Sequence, residues 1–142
     1  MNHQARWVAA CTLLSGLGLV IHNRADLPQL PWLSPETSIP LLISFLLFLG
    51  WWLLPLKRQI CVAFLVWALL NLLGGGILSV LPFPFWPFHP EQTAFHYLMH
   101  VQYTLTQIPL VVILLQQARR SARRKGRSDA SSLQGAQQGQ RR

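Results

Sequence analysis

The chain has 142 residues, 51% of them apolar, with four Asp and Glu against twelve Lys and Arg and a formal net charge of +8. That length leaves room for one domain and, once four long apolar stretches are set aside, no separate soluble core. The few carboxylates lie outside the apolar stretches, which excludes paired-carboxylate catalysis, and neither a G-x-S-x-G elbow nor a phosphate-cradling glycine loop is present.

The apolar stretches lie at about 7–22, 39–56, 60–81 and 94–117. A helix of about 20 residues crosses a bilayer core, so residues 1–117 are expected to form an all-α, integral membrane, four-transmembrane-helix bundle. Arg6 precedes the first stretch, Lys57 and Arg58 separate the second from the third, and Arg119, Arg120, Arg123, Arg124, Lys125, Arg127, Arg141 and Arg142 follow the fourth. Of the twelve basic residues, only Arg24 falls in the other two connections, together with Asp26, Glu36 and Glu91. Positive charge collects on the cytoplasmic side, which predicts an N-in/C-in topology in a plasma membrane of bacterial type.

The first stretch is the shortest, and Met1–Arg6 resembles the basic start of a signal peptide. Asn23 stands where a cleavage site needs a small residue, so an uncleaved helix is expected. Cys11, Ser15, Gly18 and His22 share one face of it at spacings of four, three and four, and such a small-residue stripe should face the bundle. The first connection carries Pro28, Pro31 and Pro35 around Trp32 and should lie along the membrane surface. The second stretch is apolar all round and should face lipid on most sides, with Trp51 and Trp52 joining Trp7 in an interfacial belt.

Lys57-Arg58-Gln59 reads as a tight turn into the third stretch, which holds Ala68, Asn71, Gly75 and Ser79 on one stripe and the run Gly74–Gly76. Residues 81–90, LPFPFWPFHP, alternate proline with aromatics and exclude regular helix. With no C-x-x-C, the two cysteines, Cys11 and Cys61, read as small apolar packing residues rather than redox centres.

The fourth stretch is polar in its first half. His96, His100, Tyr103 and Gln107 recur at four, three and four, a stripe from the outer surface toward mid-bilayer. Polar groups at that depth usually face a bundle interior or a watery cavity. His96 and His100 could bind metal with His22 and His89, or a bis-histidine pair could hold haem b. The intervening residues lack the glutamate of a metalloprotease helix. Asn71, Tyr103 and Gln107 are the candidate polar bundle interior, tying helices together while the histidines snorkel outward.

Residues 118–142 are rich in Arg, Ser, Gly and Gln and are expected to form a disordered, basic cytoplasmic tail. Lys57, Arg58, Arg119, Arg120, Arg123, Arg124, Lys125 and Arg127 then contact lipid headgroups, and nucleic acid is not an expected partner. The function expected is that of a small, non-enzymatic membrane protein, without cofactor, engaging a lipid or membrane-protein partner through its outer Pro/aromatic loop and the polar face of helix four. One alternative is a haem- or transition-metal-binding redox or accessory protein. Another is a self-associating pore or transporter subunit.

Overall fold

The computed structural model describes residues 3–84 and 91–139, with side chains as far as Arg123. Among these residues there is no strand, and four helices are long and apolar enough to cross a membrane. They are α1 (His3–Asp26), α2 (Pro35–Leu53), α3 (Lys57–Leu69, continued by wider and tighter turns to Val80) and α4 (Ala94–Gly139). Packing is cyclic: α1 meets α2, α2 meets α3, α3 meets α4, and the broad α1–α4 contact closes the ring. One end of the bundle carries the 27–34 and 81–93 connections and is called here the double-loop end. The other carries only the α2–α3 turn.

α1 is longer than its apolar stretch by about a turn at each end. Nothing before Pro28 breaks it, and α4 provides partners for the polar additions. Gln4 Nε2 donates to Gln117 Oε1 at 2.5 Å, while Asp26 meets His96 at the opposite end. The start of α2 also precedes expectation, because Pro35 occupies a first-turn position, where its missing N–H is no loss. Pro40 lies deeper and cannot donate to the carbonyl of Glu36. Asn23 Nδ2 fills that role at 3.1 Å and reaches Thr37 Oγ1 at 2.9 Å, fastening α1 to α2.

The α2–α3 turn is displaced from its expected position. Pro55 forces the residue before it out of helical geometry, so α2 ends at Leu53 and Leu54 is extended (φ −87°, ψ 152°). Lys57 and Arg58 therefore begin α3 instead of forming the turn. Trp51 also departs from the interfacial belt: it is buried against Val8, Cys61 and Leu114, whereas Trp7 and Trp52 are exposed. Most of α2 is otherwise exposed, as an all-apolar helix in lipid should be.

α3 changes character at the glycine run. From Leu70 to Ile77 it widens to a π-helix, then tightens to a single 3-10 turn at Leu78–Val80. Three glycines weaken the α-helical ladder, and a wide turn is one way to use the slack. α4 continues helical to Gly139, well beyond the end expected near residue 117; Pro109 is its only proline, and the tail is rich in Arg, Ala and Gln, all good helix formers.

The half of the bundle nearer the α2–α3 turn is filled by Ala5, Val8, Trp51, Cys61, Phe64, Ala68, Leu110 and Leu114. Val8, Phe64 and Leu114 are 0% exposed. Nearer the middle, Gly18 lets α4 approach α1. A Cβ there would lie 2.6 Å from Thr106 Cβ and overlap its Oγ1, which is itself held at 2.7 Å from the carbonyl of Tyr103. Rotating Thr106 cannot remove its own Cβ, so the helices would have to part. A Cβ on Gly74 would meet nothing within 4 Å. Gly18→Ala is expected to lower stability by about 1–3 kcal/mol, while Gly74→Ala shifts it by less than about 1 kcal/mol. Unfolding in detergent micelles checks both, and equal effects would contradict the close α1–α4 approach.

Candidate functional site

At the double-loop end the last turn of α1 faces the first two turns of α4. His22 and Asp26 are one helical turn apart on α1; His96 and His100 are one turn apart on α4. Antiparallel packing brings the four together. Asp26 Oδ2 is the hub, 2.8 Å from His96 Nδ1 and 3.7 Å from both His22 Nε2 and His100 Nε2. All four side chains are only 7–11% exposed. The rings touch edge to face, with centroids 4.4 Å apart for His22 and His100 and 4.5 Å for His96 and His100.

Asp26 needs these neighbours. A carboxylate in the last turn of a helix meets the negative end of the macrodipole, and burial removes water as compensation. Arg24 does not supply the charge, because its guanidinium donates to Leu30 O at 2.7 Å and lies 4.6 Å over the Trp32 ring. The compensation comes from imidazole N–H groups and from the N-terminal end of α4.

The rings are held from behind. A carbonyl can only accept, so the 3.3 Å contact of His100 Nδ1 with Gly76 O makes Nδ1 the protonated nitrogen. The Nε2 lone pair then points toward the carboxylate, and two acceptors facing each other at 3.7 Å call for a cation or proton between them. The His22 ring lies nearly parallel to Tyr103, 14° between planes and 5.2 Å between centroids. Tyr103 is pinned in turn, its hydroxyl donating to Asn71 Oδ1 at 3.0 Å, while Asn71 Nδ2 donates to Trp67 O at 2.8 Å. His22 Nδ1 and His96 Nε2 are buried with no hydrogen-bond partner.

Below the cluster the polar track thins. Ser15 Oγ donates to Gln107 Oε1 at 2.5 Å, and Gln107 Nε2 donates back to Ser15 O at 3.1 Å. Then come Leu110, Phe64, Val8 and Leu114, all fully buried and apolar. The cluster is therefore a buried polar layer above a buried apolar one.

His22, His96, His100, Asn71, Tyr103 and Gln107 converge here. His96 and His100 turn inward rather than snorkelling outward. His89 lies outside the described residues, as do the Arg124, Lys125 and Arg127 side chains. Lys57, Arg58, Arg119, Arg120 and Arg123 are exposed at the far end. The His22 and His100 rings are in edge contact at 4.4 Å, which leaves no room for a porphyrin between these two as they stand. The residue missing from the sequence reading was Asp26. Its signal was the i, i+4 spacing from His22 with no helix breaker before Pro28.

No protein-family model, no curated protein and no solved structure matches this chain.

Removing His96 takes away the hydrogen-bond donor of a buried carboxylate, so His96→Ala should cost about 1–3 kcal/mol. Adding Asp26→Asn to that variant should restore more than half of the loss. The double-mutant cycle is read from unfolding in detergent; simple additivity would show that the 2.8 Å contact carries no coupling.

Proposed function

We propose that the chain is a multi-pass plasma-membrane protein, N-in and C-in, that takes up a small cation from the outer side and holds it without conducting it. The observation that carries this reading is the buried Asp26 carboxylate ringed by three imidazoles above a buried apolar layer. The asymmetry of basic residues supports the orientation, with Lys57, Arg58, Arg119, Arg120 and Arg123 at the cytoplasmic headgroups and the double-loop end outward. An anionic centre at the outer mouth attracts cations. Between the Ser15–Gln107 and Gln4–Gln117 pairs the described core residues are apolar, which argues against a pore formed by one chain.

The polar face of α4 is occupied within its own bundle, so engagement of a lipid or membrane-protein partner falls to the loop that follows Val80. The apolar faces of α2 and α4 supply the lipid-facing surface, with Leu42, Phe45, Leu98 and Leu105 each more than half exposed.

Two measurements test the proposal in a Cys11→Ala, Cys61→Ala background. A membrane-impermeant thiol reagent applied outside should label Glu91→Cys and leave Arg58→Cys unlabelled; the reverse pattern would overturn the orientation. Liposomes containing the protein should show no proton or cation flux above empty vesicles, and sustained flux would overturn the holding role.

A further inference from the structure

We propose that the cation held in the cluster is a divalent first-row transition-metal ion of the Zn2+ class, ligated by His22, Asp26 and His100. This identification rests on the cation-holding reading above. The donor atoms of these three residues lie within 4.8 Å of one another, and both imidazole nitrogens are 3.7 Å from Asp26 Oδ2. Bonds of 2.0–2.1 Å in tetrahedral geometry separate donors by about 3.3–3.4 Å. The carboxylate–imidazole distances thus close by about 0.3–0.4 Å on loading, and the two imidazole nitrogens, within 4.8 Å of each other, by up to about 1.4 Å, through side-chain torsions of His22 and His100.

The donor set chooses the metal class. Ca2+ takes six to eight oxygens and Mg2+ prefers octahedral oxygen and water, whereas this site offers two nitrogens and one carboxylate. Imidazole suits Zn2+ and its first-row neighbours. Soft-metal ligation lacks its thiolate, since Cys61 packs in the opposite half of the bundle and Cys11 lies three turns below His22 on α1.

The group behind His100 also matches a metal centre, whereas the buried Nδ1 of His22 has no acceptor. Metal-bound histidines usually donate their other ring N–H to a carbonyl or carboxylate, as His100 does to Gly76 O. His96 holds the ligating carboxylate at 2.8 Å, and Tyr103 stacks on the His22 ring. Three protein ligands leave one coordination position for water.

The test uses the full chain purified in detergent and stripped with chelator. Zn2+ titrated against a chromophoric competitor should bind one ion per chain, and Co2+ should give the visible absorption of a tetrahedral site. His22→Ala and Asp26→Asn should each weaken Zn2+ binding at least 100-fold and His96→Gln 10–100-fold, with His3→Ala unchanged. No stoichiometric binding, or binding indifferent to His22→Ala and Asp26→Asn, would overturn the metal assignment. Should those variants fail to fold, the wild type still decides. Zn2+ should protect His22 and His100 from diethylpyrocarbonate, and absence of protection would overturn the assignment. Reaction at the cluster histidines without any metal binding sinks the metal while leaving a water-reachable cluster. No reaction at all sinks the cation-holding reading itself.

Discussion

One buried carboxylate organises this molecule. Asp26 sits in the closing turn of α1, where its own helix repels it and where water is largely excluded. It takes a hydrogen bond from His96, and the imidazoles of His22 and His100 stand 3.7 Å from it. That requirement sets how far α1 extends, which face of α4 turns inward and where the two helices cross. In a bilayer, where apolar surfaces gain little by leaving lipid for one another, polar contacts and close packing decide helix association. The α1–α4 contact is the broadest in the bundle and the one carrying the densest polar network. Gly18 makes the approach possible; Asp26 makes it specific.

The bundle divides into two halves of different purpose. At the double-loop end, rings, amides and a carboxylate are interlocked through His100–Gly76, Tyr103–Asn71 and Ser15–Gln107. At the other end Phe64, Leu110 and Leu114 fill the space with no exposed area to speak of. Packing of this kind stiffens the helices on which the cluster side chains stand. The arrangement at one end is positioned by packing at the other.

Much of this was legible in the sequence, for identifiable reasons. Helix number followed from length and hydropathy, and the inward face of α4 followed from the spacing of His96, His100, Tyr103 and Gln107. The small-residue stripe of α1 likewise pointed inward. What could not be read were facts settled between helices. Asp26 looked like a loop residue because a carboxylate ends an apolar count, yet its partners come from α4, seventy residues later. Trp51 looked interfacial because tryptophan prefers headgroups, yet packing beside Val8 and Leu114 outweighs that preference. Local chemistry did fix the displaced turn at Pro55, since proline constrains its predecessor whatever the tertiary context. The widening of α3 had its cue in Gly74–Gly76, but its use, a carbonyl offered to His100, depends on where α4 lies.

That widened segment carries a consequence of phase. A π-helical stretch amounts to surplus residue inserted into a regular spiral, so everything after it is rotated relative to an uninterrupted α-helix. Each residue gained or lost there turns the following backbone by about 100°. The glycine triplet is therefore a matter of count as much as of size: shortened by one, the helix would regain its even pitch and swing the Gly76 carbonyl away from the imidazole it now holds.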